Sequence, residues 1–412
     1  MKYSNDDLAL TLRDSQDGIS AELFGSFAAT GVSRDEWDQL VLKLDGDVYA
    51  TYDWCRIWWK HYGANRALRI FVFRRSGHLV GVAPMFIEKF GVGPLSVKIG
   101  KRVGSDFALT IFTLPIADDH IEAAYKIVVR ALTLMEECDV ISFSFMPGGD
   151  RTRAGLRRAC KDLEKFITVV RDAPAAPHTI FELPDTVQKY LSDLPKRYRQ
   201  NYRRQRRMLE STSNVVVDVV HNHPEVSEAF QAFTALHARQ WQAEGLLGHF
   251  GDWPSSRAFN TELVAELAKL NRVKMTRIFS DSELVSAQYA FVFGRRCFWR
   301  LPARLPHHEF ERFGLGILGL VHLIECMIDI QVKEIEAGVG HYDYKLHYGG
   351  KESAVSSFAV VTTRPKGALR GRAFLKLSQF IHLAYYRLWR LRVASYLPIR
   401  GPLSRTWIRS RL

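Results

Sequence analysis

The sequence predicts two tandem α/β domains, each a mixed central sheet flanked by helices, followed by a C-terminal amphipathic helix. Three observations carry that expectation. The chain has 412 residues, and a single hydrophobic core stops growing at roughly 250–300 residues, so one core does not accommodate it. The same order of hairpin, helix and strand patterns appears once in each half. The charge is asymmetric: no acidic residue follows Glu352, whereas 12 of the cations behind the net charge of +13 do. The expected limits are 1–175 and 176–365 for the domains and 366–412 for a basic tail.

In the first half, Leu68–Phe73 and Leu79–Ile87 flank Ser76-Gly77 as a hairpin. Further strands are expected at Leu95–Ile99 and Leu109–Phe112. Apolar residues at helical spacing, among them Ala124, Ile127, Val128 and Ala131, predict a helix over Ile121–Glu137, with a buried strand at Val140–Phe145 after it. Ala173-Pro174-Ala175-Ala176-Pro177 reads as a connector. In the second half Val273–Phe279 and Leu284–Phe293 flank Asp281-Ser282, Cys297–Leu301 gives a third strand, a glycine loop leads into a helix ending near Ile330, and Lys333–Glu336 closes the repeat. Between the halves, Glu225–Glu244 reads as a helix. A second helical stretch aligns Leu191, Leu194, Tyr198, Tyr202 and Leu209 on one face.

Composition excludes several classes. At 47% hydrophobic and 25% charged residues the chain is a packed protein rather than a disordered one. The five cysteines are odd in number and never two residues apart, which gives neither a disulfide framework nor a zinc ribbon, and no metal is expected. The N-terminus MKYSNDDLALTL lacks the basic head and long apolar run of a signal peptide. The longest apolar stretch, Ile317–Ile330, contains His322, Glu325 and Asp329 and is shorter than the ~20 residues of a spanning helix. A cytoplasmic location is expected.

Several constellations carry candidate chemistry. Arg312-Phe313-Gly314-Leu315-Gly316-Ile317 opens a helix, where glycines let backbone N–H groups close on a phosphate at the positive helix end; the same glycines also serve as plain punctuation. His237 and Trp241 share a helix face, either to orient an acyl acceptor or as core. His341 through Glu352 concentrates titratable groups, with Asp343 as a candidate base and Lys345 and Lys351 as phosphate ligands, or else forms a strand end with solvated lysines. Glu334 and Glu336 fall on one side of a strand. The run from Lys196 to Arg207 leaves arginines outside an apolar face, to meet an anion or water. The tail from Ala373 to Tyr396 places Phe374, Leu377, Ile381, Ala384, Leu388 and Leu391 at helical spacing among arginines. That pattern suits an anionic membrane surface at the inner face of the cell membrane, or docking on the protein itself.

These landmarks resemble the CelD/BcsL family of acetyltransferase-like proteins of cellulose and exopolysaccharide biosynthesis, within the Gcn5-related N-acetyltransferase (GNAT) superfamily. The resemblance rests on Trp54 with Trp58-Trp59, Gly81-Val82-Ala83-Pro84, Gly104-Ser105-Asp106-Phe107, Leu194 through Leu209, His237-Ala238-Arg239-Gln240-Trp241, Ala287-Gln288, Gly314 and Tyr342-Asp343-Tyr344. It implies two GNAT-like (acyl-CoA N-acyltransferase) domains, with acetyl-CoA or another acyl-CoA as co-substrate in the second, and a sugar or polysaccharide precursor as acceptor. Glu311 stands where the superfamily's phosphate loop usually carries Arg or Gln. The implied site comprises Asp343, His237 and Tyr344 as catalytic groups, and Arg312, Gly314, Gly316 and Arg304 for the donor. Arg239, Trp241, Gln288, Trp299, Lys345 and Lys351 are implied for the acceptor. Two rivals share the fold: a FemAB-like transferase taking an aminoacyl group from tRNA, the one case in which nucleic acid is a partner, and a non-catalytic scaffold held at a membrane.

Overall fold

The structure, a computed structural model, describes residues 10–14, 18–108, 110–147, 150–306, 308–397, 399–401 and 403–412. Most of the N-terminal segment weighed as a signal peptide, and Leu109 of an expected strand, lie outside these. In chain order the first elements are β1 (Leu10–Asp14), β2 (Ile19–Phe24), α1 (Arg34–Lys43), α2 (Tyr52–Tyr62), β3 (Ala67–Arg75), β4 (His78–Phe90) and β5 (Val97–Arg102). Then come α3 (Ile121–Arg130), β6 (Val140–Ser142), α4 (Asp150–Lys161), β7 (Ile167–Glu182), α5 (Val187–Asp193), α6 (Lys196–Thr212), β8 (Val215–Val220) and α7 (Glu225–Ala243). They are followed by α8 (Gly248–Asp252), α9 (Ser256–Ala268), β9 (Val273–Ser280), β10 (Glu283–Phe293), β11 (Arg296–Arg304), α10 (His308–Glu311) and α11 (Leu315–Asp329). The last are β12 (Glu334–Val339), α12 (Asp343–His347), β13 (Lys351–Thr362), α13 (Pro365–Ile381) with a π-helical continuation to Val393, and α14 (Ser404–Ser410).

The chain forms two compact units. The first comprises residues 1–175, 355–389 and 402–412 and the second 176–354 and 390–401. In the first unit β1 to β5 pair antiparallel in order, β5 runs parallel to β6, and β13 closes the far side antiparallel to β6. In the second, β8 to β11 pair antiparallel, β11 runs parallel to β12, and β7 lies antiparallel beyond β12. Both sheets therefore have an antiparallel meander, one parallel crossover through a helix, and a closing strand. The first unit's closing strand comes from chain that follows residues 176–354, whereas the second unit's closing residues, His178–Glu182, lie at the start of its own segment.

Local chemistry accounts for the elements. Ser33 caps α1 by accepting the Glu36 N–H, the Ser-x-x-Glu pattern of a helix start. Trp54 and Trp58 of α2 are fully buried, and the Trp58 indole donates to the Phe107 carbonyl at 2.6 Å. α11 is apolar almost all round and buries Leu318, Leu320, Val321, Leu323 and Ile324, as a helix lying in a core must. The expected helix at Leu191–Leu209 divides into α5 and α6 at Pro195, and Leu194, Tyr202 and Leu209 do form its buried side. The expected connector at Ala173–Pro177 holds the boundary between the two units, after Ala175, and is extended chain within β7. Its prolines lack N–H donors, and pairing with β12 begins just after them, at His178.

The residues beyond Lys366 pack onto both units. Phe374 of α13 joins Val97, Ile99, Val140 and Val361 in a core cluster, and Arg370 forms a two-pronged pair with Asp139 at 2.8 and 3.2 Å. α14 buries Trp407 and Ile408, ties Arg409 to buried Glu88, and receives the Lys101 ammonium on the Arg409 carbonyl at 2.6 Å. In the second unit Arg390 pairs with Asp252 at 3.2 Å and Arg400 donates to the Gly251 and Asp252 carbonyls. Among the described residues, no helix is long and apolar enough to cross a membrane.

Candidate functional site

The site in the second unit is built by β11. On one side this strand pairs with β10 as far as Ser286↔Arg304; on the other it follows β12 for three pairs only, Arg296↔Glu334 to Phe298↔Glu336. Past Phe298 the two parallel strands part, and the register between them ends there. Arg300 is an extra residue in the β10–β11 register, a bulge of the kind that re-aims side chains beside functional sites. Trp299, the first residue past the fork, is buried, and its indole donates to the Gln288 side-chain carbonyl at 3.0 Å.

The chain leaves β11 and turns into α11 at Gly314, whose φ of 61° places it in the left-handed region. No side chain caps this helix start, and the N–H groups of Leu315 and Gly316 have no acceptor within the helix. A cavity of about 370 Å³ lies against it. β11 lines it with Trp299, Arg304 and the residues between Pro302 and Leu305; the turn contributes Phe310 and Glu311. Gly314, Gly316 and Ile317 form the helix wall, Gln240 comes from α7 and Tyr344 from α12. The Gln240 side-chain oxygen accepts the Arg304 N–H at 3.0 Å and so ties α7 to the strand end.

The two glycines differ. A Cβ on Gly314 would overlap the Gln205 amide of α6, so close packing and positive φ both require glycine there. A Cβ on Gly316 would meet only the Arg304 Cδ, at 3.7 Å, and φ is ordinary. The opening at the helix end is therefore in front of Gly316.

Electrostatics distinguish the groups around the cavity. Burial pushes the Tyr344 phenol up to about 12, with Tyr342 adding to the effect, so it is a neutral proton donor at ordinary pH. The neighbouring Lys345 is buried; its ammonium donates to the Ala337 carbonyl at 2.6 Å and lies 4.4 Å from the Tyr342 ring centre and 5.5 Å from that of Trp299. Burial lowers it to about 8 against the pull of Glu336 and Glu352. Glu336, also buried, accepts from the Gly338 N–H at 2.6 Å and meets His178 Nε2 at 2.9 Å, whereas Glu334 pairs with Arg296 at 2.9 Å.

Of the residues expected from sequence, the structure brings Tyr344, Arg304, Gly314, Gly316 and Trp299 to the cavity, with Gln288 bonded behind Trp299 and Lys345 beneath it. The others lie elsewhere. Asp343 is exposed and contacts His341 at 3.1 Å, because adjacent residues of α12 diverge by a helical step and Tyr344 takes the inward direction. His237 is buried against α8: its Nε2 accepts from the Trp241 indole at 2.9 Å and lies 3.2 Å from His249 Nδ1. Burial lowers His237 to about 4 and, with the neighbouring His237, Arg390 and Arg300 charges, His249 to about 3, so both imidazoles are neutral. Arg312 sits over the Phe313 ring, Arg239 pairs with Glu283 at 3.5 Å, and Lys351 pairs with Glu182 at 2.5 Å, all at the exposed surface. The expectation had not singled out Gln240, Phe310 or Leu305. Gln240 lay inside the His237–Trp241 landmark without a role of its own, and Leu305 and Phe310 come from the β11–α11 connection, which no local pattern marks.

The first unit has the same fork between β5 and β6, whose pairing ends at Lys101↔Ser142. There the next residue, Arg102, closes it. Its buried guanidinium donates to the Thr110 and Phe145 carbonyls, both at 2.9 Å, and stacks 3.8 Å from the Phe112 ring centre.

Residues 196–346 match the family described as acetyltransferase (GNAT) domain. The match lies within the second unit. Among solved structures, the chain is similar to FemX at 12% identity and a TM-score of 0.60, covering 83% of this chain and 99% of that one. It is also similar to L-PGS from Bacillus licheniformis, at 10% identity and a TM-score of 0.46 over 83% and 96% of the two chains. A tandem GNAT protein from the clavulanic acid biosynthesis pathway follows at 12% identity and a TM-score of 0.40 over 80% and 96%. No curated protein sequence matches. The fold is two GNAT-like domains in tandem, and the domain match at residues 196–346 supports an acyltransferase of the GNAT type.

Proposed function

We propose that the second unit transfers an acetyl or other acyl group from acyl-CoA to an amine or hydroxyl of a sugar or polysaccharide precursor, as the resemblance to CelD/BcsL proteins implies. The observation that carries this is the cavity bounded by β11 beyond its last pair with β12, the uncapped start of α11 and the neutral Tyr344. An open strand edge accepts the amides of an extended pantetheine arm as it would a further strand. The Leu315 and Gly316 N–H groups, the helix dipole and the Arg304 guanidinium suit a diphosphate.

In the reaction, the acceptor's lone pair attacks the thioester carbonyl carbon, the C–S bond breaks, the departing thiolate takes the Tyr344 proton, and the tyrosinate regains a proton from solvent as CoA leaves. The acceptor's own proton passes to solvent by way of Glu311, the one carboxylate among the cavity residues. The CoA thioester supplies the activated acyl group, so no covalent enzyme intermediate is needed. Titration of the full chain with acetyl-CoA tests this: saturable binding supports it, and its absence with every acyl-CoA tried rejects it.

An aminoacyl-tRNA donor is favoured by a separate observation. The helix whose Gln205 abuts Gly314 also exposes Arg197, Arg203, Arg204 and Arg207, a cationic face suited to a polyanion. Salt-sensitive binding of aminoacyl-tRNA with no affinity for acyl-CoA would select that donor instead.

A further inference from the structure

The tail pattern divides between two faces. On α13 and its continuation, Phe374, Ile381 and Tyr385, spaced by seven and four residues, are buried against the first unit. On the other face, Leu369, Arg372, Lys376, Phe380, Leu383 and Arg387 follow one another at helical spacing and are all exposed. Leu369 is 73% exposed, Phe380 64% and Leu383 52%, and Leu377 and Leu388 beside them are 43% and 48% exposed. Monomeric surfaces tolerate single exposed apolar residues, but a run of them such as Leu377, Phe380, Leu383 and Leu388 marks an interaction surface.

The partner follows from the charge. No acidic residue occurs after Glu352, so nothing on this helix neutralises Arg372, Lys376 and Arg387. A protein groove for this helix would have to be both apolar and acidic. A bilayer with anionic headgroups supplies both properties at once: acyl chains for the leucines and phenylalanine, phosphates within reach of the long cationic side chains. The docked face holds the helix in place beforehand, so binding does not have to pay for ordering it.

We propose that the exposed face of residues 369–388 is a docking site for an anionic phospholipid surface. The docking does not depend on what the second unit transfers. A lipid-linked acceptor would be presented to the protein at such a surface.

The test is sedimentation of the full chain with vesicles of phosphatidylcholine alone and with about one-third phosphatidylglycerol, at low and high salt. Binding is expected to the anionic vesicles and to weaken as salt rises. Neutralising Arg372→Gln and Lys376→Gln together should weaken it about 30-fold, from about 1 kcal/mol per cation near an anionic surface. Phe380→Asp with Leu377→Asp should abolish it. Both pairs change exposed side chains, so the unfolding midpoint and acyl-CoA binding should stay unchanged, which separates this result from failure of the proposed activity. Equal binding to neutral vesicles, or no loss with Phe380→Asp and Leu377→Asp, would overturn the proposal. So would a concentration-dependent dimer that these substitutions dissolve without any vesicle binding, since the face would then serve a second copy of the chain.

Discussion

Replacing Gly316 separates ligand binding from folding because its Cβ direction is open while its backbone is ordinary. In Gly316→Ala the first turn of α11 gains helix propensity of about 0.8–1 kcal/mol, so stability should hold or rise. In Gly316→Leu the side chain projects in front of the Leu315 and Gly316 N–H groups and Arg304. Hydrogen bonds to a charged group contribute about 1.5–3 kcal/mol each, so blocking two should weaken acyl-CoA binding by about 3–6 kcal/mol, at least 100-fold. Calorimetric titration with acetyl-CoA measures the affinity, and thermal unfolding without ligand confirms the fold. Gly314→Ala provides the contrast. There the positive φ and the overlap with Gln205 both oppose a side chain, and the unliganded protein should lose about 1–3 kcal/mol. A folded Gly316→Leu protein that binds acetyl-CoA as tightly as the parent would refute the diphosphate assignment.

Two further outcomes follow from the groups around the cavity. Tyr344→Phe removes the proton donor and little volume, so kcat should fall about 100-fold while acyl-CoA affinity changes no more than a few-fold, a split read from steady-state rates and direct binding. Lys345 is held near pH 8 by burial, against 10.5 for a free lysine. Between those values the unfolded chain retains a proton that the folded chain has released, so stability from this group rises with pH across that window. Denaturant melts from pH 8 to 10.5 should show the parent gaining on the order of 3 kcal/mol relative to Lys345→Met. A flat difference would contradict the burial of the charged amine.

Much of the scaffold is legible in the residues because it depends on local patterns. The hairpins around Ser76-Gly77 and Asp281-Ser282 and the helices starting at Ile121 and Glu225 follow from alternation, turn residues and apolar spacing. The pairing of His237 with Trp241 follows from helical spacing as well. What stays hidden is non-local. Which face of α7 meets the cavity decides that Gln240 serves it and His237 does not, and no residue of α7 records this. The closing strand β13 pairs with β6, on the far side in sequence of the chain that forms the second unit, and no local pattern names that partner. At Tyr342-Asp343-Tyr344 the composition announced chemistry, but a single helical step put the tyrosine inside and the carboxylate out.

On the proposed function, one thioester donor occupies the fork of the second unit, while Arg102 fills the corresponding fork of the first. Hydrogen exchange of the full chain with and without acetyl-CoA addresses both halves together. Protection is expected along β11 past Phe298, through the Gly314–Ile317 turn and at Tyr344, at one acetyl-CoA per chain, with no change around Arg102 to Phe112. Protection confined to the first unit, or none at a saturating concentration, would contradict it.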